Sequence, residues 1–381
     1  MKASLRLTLS GFMLIAVTYG LARFAWGMMM PQVAQQISFS PHASGMLAAC
    51  SYLAYCLATP GATLLLARWG VRSTAMLAAL TAMLGLLLLA AASSAWLIAG
   101  GLFIAGLGAG LASPALASAV SQQIDASRQT AANTLINAGT GAGIIMSVPI
   151  FMLMPGGWRA ACCCFAALAL ISLLLARYCL PAGRADPPGS PVGWRDRLHN
   201  RALLRVIIIA FLSGVASAAW WCFGPDVLRQ HSRLNEGQAS MLWLVSGAAG
   251  ILGALTGPLA RCIGMRQVYW LAQLAMAVPL LLLAALTHFS YWLVPAAALC
   301  GAGYVTLSGI LLVAGAAATP QNAASGVAAA FLTLAIGQIG GAILFAQIYS
   351  SSAAAALLLF AAIPVALLFL IPANPPQRAD A

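Results

Sequence analysis

The chain has 381 residues, of which 62% are hydrophobic and 6% charged, and eighteen Lys and Arg against six Asp and Glu give a net charge of +12. Soluble domains carry roughly 25% charged residues because their surface meets water, so this composition excludes a cytosolic enzyme, a nucleic-acid-binding domain and a disordered chain. A polytopic membrane protein remains, and its positive balance reads as the cationic bias of cytoplasmic loops.

A spanning helix needs about 20 predominantly apolar residues. In chain order such runs lie at 8–30, 43–66, 74–92, 96–120, 131–154 and 159–180, then at 204–229, 238–260, 268–287, 291–314, 325–349 and 353–371. The alternating ten-residue segments of a membrane barrel do not occur in the row. The expected fold is therefore an all-α membrane protein with twelve transmembrane helices in two pseudo-symmetric halves, residues 1–180 and 204–381. Between them, 181–203 concentrates Pro, Gly and charge as a cytoplasmic linker. The first run follows Lys2 and Arg6, but it is too long for a signal sequence, contains Arg23 and lacks a clear cleavage site, so it is read as a retained helix.

Basic residues set the topology. Lys2, Arg6, Arg68, Arg72, Arg128, Arg177, Arg184, Arg195, Arg197, Arg201, Arg205, Arg261, Arg266 and Arg378 fall on one side, against Arg159, Arg229 and Arg233 on the other. The bias predicts a multi-pass protein of the cytoplasmic (inner) membrane with both termini inside. Trp69, Trp96, Trp158, Trp270 and Trp292 stand at predicted helix ends, as an aromatic belt requires. The nine cysteines show no disulfide or zinc spacing and read as small buried hydrophobes.

The halves repeat. A shift of 194 places Pro31 on Pro225, Gly70 on Gly264 and Arg72 on Arg266; a shift of 195 places Gly106 and Gly108 on Gly301 and Gly303, and Ser113 on Ser308. Such internal symmetry is characteristic of transporter halves.

Six plus six helices, a basic central loop and a repeated loop after helices two and eight resemble the major facilitator superfamily along essentially the whole chain. That family's loop signature is Gly-x-Leu-Ala-Asp-Arg-x-Gly-Arg-Arg. Gly257-Pro-Leu-Ala-Arg261-Cys-Ile-Gly264-Met-Arg266 keeps both glycines and a basic end, and the first copy keeps Arg68, Gly70 and Arg72 with Ala67 in place of the acid. The resemblance marks these positions as gating loops and, because the acid that latches the family's halves is missing, implies a state preference resting on packing and helix-end dipoles. Asn137 to Gly143 with Pro149, and Gly337-Gln-Ile-Gly-Gly341, are similar to glycine-rich helices of the family. Arg23-Phe-Ala-Trp-Gly27 followed by Pro31 resembles the first helix of a poorly characterised bacterial efflux-permease-like branch.

Arg23 is the most informative residue. It lies fourteen residues beyond Leu9, about 21 Å along a helix. An intramembrane arginine costs at least about 2.5–3.5 kcal/mol on insertion scales, so it either binds an anion in an interior cavity or snorkels to the headgroups. Asp226 is the one acid touching a predicted helix; Asp125, Asp186, Asp196, Asp380 and Glu236 fall in loops or the tail, and His42, His199, His231 and His288 near interfaces. Asp226 is thus the candidate proton carrier, its alternative being an ordinary helix-end acid beside Arg229. Asn133, Asn137, Thr140 and Ser147 share one face of helix five, as ligand contacts or as structural glue between helices. Tyr19, Trp26, Tyr52, Tyr55, Thr59, Trp220, Trp221 and Tyr304 supply an aromatic wall of the kind solute cavities use, or ordinary packing.

The row carries no phosphate-binding loop with its lysine. It predicts a secondary transporter moving a small organic solute, anionic or amphipathic, by alternating access, with export implied by the resemblance. The expected partners are that solute and the bilayer, without nucleic acid, metal or cofactor, and the unit is a monomer. The alternatives are a proton-driven multidrug or sugar antiporter of the same fold, a non-transporting receptor, and a membrane enzyme, which would need His, Asp or Glu clustered at membrane depth.

Overall fold

A computed structural model describes residues 2–183, 200–319 and 323–372, and the described secondary structure is helical. Most of the predicted linker, with Arg184, Asp186, Arg195, Asp196, Arg197 and His199, lies outside the described residues, as do Arg378 and Asp380.

The first span, α1, is one rod in three windings: α-helical over Lys2–Ile15, π-helical over Ala16–Phe24 and α-helical again over Ala25–Gln36. Next comes a fifty-residue helical run, Pro41–Ala90, broken at Gly70 alone, where φ is 83°. It forms α2 (41–69) and α3 (71–90). The following spans are α4 (Ala95–Gln123), α5 (Ala126–Leu153), α6 (Gly157–Cys179) and α7 (Arg201–Gln230). Span α8 is bent by 60° where its first part, beginning at Glu236, meets Thr256–Ile263 through a short 3-10 turn. The remainder are α9 (Met265–Ala285), α10 (Leu293–Ala318), α11 (Ala323–Ser351) and α12 (Ala353–Leu367). With the Gly70 break and the α8 bend accounted for, the twelve predicted runs each correspond to one span.

Helix starts follow capping chemistry. Ser40, Ser94, Asn200 and Ser352 accept from backbone N–H groups of the first turns of α2, α4, α7 and α12. Asn235 and Gln238 form a reciprocal capping box at α8. The predicted first run stops at residue 30, yet the helix continues to Gln36, because Pro31 interrupts apolarity without ending the helix.

The sequence repeat reappears as repeated geometry. A Cβ on Gly106 of α4 would strike the Ser51 carbonyl of α2, and one on Gly301 of α10 would strike the Ser246 carbonyl of α8, 195 residues on. Gly108 meets the Ala78 carbonyl of α3 as Gly303 meets the Ala272 carbonyl of α9. Gly264 has φ 90°, matching Gly70. Small residues at these crossings let backbones touch, which is how helices associate where no water drives them together.

Polar side-chain contacts join the first six helices to the last six on the side away from the termini. Gln32 of α1 donates to Glu236 of α8 at 2.8 Å, and His42 of α2 bonds Gln347 of α11 at 3.2 Å. Toward the terminal side, no described atom lies within 4 Å of where a Cβ would stand on Gly61 of α2 or Gly257 of α8. The two sixes are thus joined by polar side chains on the side away from the termini.

Trp69, Trp96 and Trp292 are exposed helix-end rings, but Trp158 departs from the predicted belt. It is buried, its indole donating to Gln36 and its backbone N–H to Gln32, so it ties α6 to the end of α1. Among the cysteines, Cys162, Cys222 and Cys300 are buried as expected, whereas Cys163 and Cys262 are exposed.

Candidate functional site

The site begins with the π-helical turn of α1. Gly20 there packs on Gly143 of α5, and a Cβ on Gly20 would stand 2.5 Å from its Cα. Gly139 and Gly143 in turn meet the carbonyls of Phe12 and Ala16. At this close crossing α1 widens, its Ala25 N–H bonding to Gly20 five residues back. Single π turns recur at functional positions because they redirect side chains, and Arg23 lies in this one.

The guanidinium turns inward rather than to the headgroups. Arg23 is 6% exposed. Its central carbon lies 4.2 Å from the Tyr52 ring centroid and 4.8 Å from that of Tyr55, with Phe24 at 5.5 Å and Tyr19 at 5.6 Å. Its Nη2 donates to Oε1 of Gln338 on α11 at 3.2 Å. Its Nε has no described partner, and no described carboxylate pairs with it. Desolvated cation–π contacts contribute about 2 kcal/mol and a hydrogen bond to a charged group about 1.5–3 kcal/mol. These offset burial but leave one positive charge uncompensated.

Gln338 is the hub. Glycines on either side of it set the α7–α11 crossing: Gly337 meets the Phe211 carbonyl, Gly341 the Val215 carbonyl, and Gly214 of α7 the Leu334 carbonyl. Gln338 is thereby pressed against α7, where its Nε2 donates to Ser217 Oγ at 3.2 Å and also to Tyr304 Oη of α10 at 3.2 Å. Sequence reasoning passed over this residue: it noted the surrounding glycines, but a lone amide in an uncharged helix carries no warning.

The aromatic residues converge. Trp221 lies 4.9 Å from Phe24, 5.3 Å from Tyr304 and 5.5 Å from Trp243, and Trp220 packs on Trp243 at 6.1 Å. Tyr19 bonds Ser113 at 2.7 Å and packs edge-on to Tyr55. Tyr52 receives the Cys222 thiol at 3.6 Å. Phe24 and Trp243 were not anticipated, since an aromatic in an apolar run reads as packing. Trp26, Trp220 and Trp243 have buried indole N–H groups without described acceptors.

A cavity of about 20 Å³, room for a single water, lies among Phe24, Thr140, Trp221, Ser246 and Tyr304. Asn137 of α5 is exposed and Asn133 half-buried, one and two turns toward the terminal side of Thr140, and neither makes a described side-chain hydrogen bond. A cavity of about 400 Å³ sits near the terminal side, lined by parts of α1, α4 and α5 including Arg128, and contains none of these residues.

The remaining candidates lie elsewhere. Asp226 is half-buried near the far end of α7, facing Tyr349 of α11. The gating-loop residues bind within their own six. The N–H groups of Val71 and Arg72 reach Gly183 and Pro181, and the Arg72 side chain donates to Leu180 at 2.9 Å, which fastens the α2–α3 turn to the end of α6. Arg266 lies over the Trp270 ring at 4.4 Å, and Trp270 donates to Leu368 just past α12. Arg68, Gly257 and Arg261 are exposed.

No curated protein sequence matches the chain. Two solved structures of the nucleoside transporter NupG superpose on it. One, a mutant form, has a TM-score of 0.76 at 13% identity, covering 95% of this chain and 98% of that one. The other has a TM-score of 0.73 at 15% identity, covering 97% and 98%. At such identity the likeness shows a shared fold and nothing of the ligand. The sequence model of the Major Facilitator Superfamily matches residues 12–343. A match over most of the chain, joined to twelve spans and the repeated crossings, makes this protein a member of the major facilitator superfamily, a membrane transporter rather than an enzyme.

Proposed function

We propose that this secondary transporter exports a small organic monoanion with a planar apolar body, acting as a monomer in the cytoplasmic membrane with both termini in the cytoplasm. The carrying observation is the buried Arg23 guanidinium, which has ring faces and one neutral amide around it and no described carboxylate. A substrate bearing the missing negative charge would complete the site, and the Arg23 Nε without a described partner is a donor left for it. The ring cluster of Phe24, Trp221, Trp243 and Tyr304 supports a flat body. NupG is named for nucleosides, but a neutral nucleoside would leave the cation unpaired. In this reading the two six-helix units, 1–180 and 204–381, rock about the site. The contacts at Gln32–Glu236 and His42–Gln347 fit a conformation closed to the outside.

Flux of benzenesulfonate, which stays anionic at any working pH, tests the reading in reconstituted vesicles. Arg23→Ala is expected to raise KM about tenfold to a hundredfold, the value of one hydrogen bond to a charged group. Arg23→Lys should fall between, since lysine keeps the charge and loses the planar fork. An Ala variant with unchanged KM and rate sinks the anion site, as does equal transport of neutral benzenesulfonamide.

A second reading, proton-driven export, draws on the half-buried Asp226. It expects transport driven by an imposed proton gradient and lost in Asp226→Asn. Transport that ignores the gradient removes it.

A further inference from the structure

We infer that Gln338 is a built-in stand-in for the anionic group of the substrate, holding Arg23 while the carrier is empty and yielding it on loading; this rests on the reading that Arg23 receives an anion. The amide is 1% exposed and committed at both ends: its oxygen accepts from Arg23, while its nitrogen donates to Ser217 and Tyr304. Its carbonyl faces the cation where a carboxylate would otherwise be required, and it reaches there from α11, in the opposite six-helix unit from Arg23. Being neutral, it gives the guanidinium an acceptor without giving it a counter-charge. Hydrogen bonds between two ionised groups are shorter and stronger than those with a neutral carbonyl, so an incoming carboxylate outcompetes the amide for Nη2. The unpartnered Nε beside it supplies the second prong of a bidentate contact. Gln338 keeps its bonds to Ser217 and Tyr304 when this happens, so release of Arg23 leaves only its carbonyl oxygen without a described partner, a cost that the charged pair offsets. The side chain thus sets specificity by being weak. A stronger acceptor there would exclude anions, and none at all would let them bind more tightly.

The two directions of change separate this role from a merely structural one. Glutamate at 338 has the same shape and would neutralise Arg23 permanently. Methionine keeps the length and offers no competing carbonyl. Calorimetric titration of benzoate into the purified full-length protein is the test, run on the wild type, Gln338→Glu, Gln338→Met and Arg23→Gln. Relative to the wild type, Gln338→Glu is expected to bind benzoate about tenfold to a hundredfold more weakly and Gln338→Met about tenfold to a hundredfold more tightly, since in each variant the contact at stake is a hydrogen bond to the charged guanidinium. If Gln338→Glu binds within threefold of the wild type while Arg23→Gln has lost binding, the stand-in role is overturned and the Arg23 site survives. If Arg23→Gln binds like the wild type, or the wild type itself does not bind benzoate, both fall. Should Gln338→Glu fail to fold, Gln338→Met decides alone: tighter binding supports the role, and weaker or unchanged binding overturns it.

Discussion

The Arg23 guanidinium is held chiefly by ring faces, with Tyr52 and Tyr55 three residues apart on one side of α2 and both within 5 Å. A ring face keeps most of its attraction for a cation without its hydroxyl, so chemistry and packing can be separated at Tyr52. Tyr52→Phe is expected to leave the thermal unfolding midpoint in detergent nearly unchanged, since the hydroxyl's described partner is a weak thiol donor, Cys222. Tyr52→Leu should cost about 1–2 kcal/mol more, the value of a desolvated cation–π contact. Equal midpoints for the two variants would mean that the ring does not support the cation. Arg23 was legible in the sequence because a charge in an apolar run has to be explained. Its acceptor was not, because Gln338 is 315 residues away and uncharged. The same blindness explains Trp158, whose helix-end position suggests a headgroup contact until the Gln36 oxygen that receives its indole is known.

At the scale of elements, hydropathy found every span, since lipid requires about twenty apolar residues of each. What it missed were changes within a helix. The π-helical turn over Ala16–Phe24 and the bend of α8 were not legible in hydropathy, because the first arises where the α1 and α5 backbones press together and the second where α8 meets Val305 of α10. The turn between α2 and α3 is sharper than a run of polar residues suggests: one glycine makes it. Gly70 has φ 83°, and an added Cβ would stand 2.8 Å from the Gly183 carbonyl. Gly70→Ala is therefore expected to lower stability by about 1–3 kcal/mol from the positive-φ, extended-ψ conformation alone, and more from the contact. Gly61→Ala, in ordinary helix with open space around it, should be neutral or stabilising by about 0.5–1 kcal/mol. Unfolding of the two variants side by side checks this. A Gly70→Ala protein as stable as Gly61→Ala would show that the turn relaxes and does not fix the α2–α3 angle.

For the molecule as a whole, the scarcity of acids decides how transport can be driven. A buried carboxylate is the ordinary means of coupling to protons, and Asp226 near the end of α7 is far along the chain's depth from Arg23. A monoanion does not need one. Moving one elementary charge across 100 mV is worth about 2.3 kcal/mol, roughly a fiftyfold concentration ratio at equilibrium. An inside-negative membrane expels an anion through any carrier that binds it as a charge and can return empty, and the neutral Gln338 contact gives Arg23 a partner for that return. Net benzenesulfonate flux in vesicles is therefore expected to reverse when a potassium diffusion potential is reversed, and to ignore collapse of a proton gradient. Asp226→Asn should retain this behaviour. Flux that follows the proton gradient and is indifferent to the potential would remove the uniport mechanism and leave Asp226 as the coupling group.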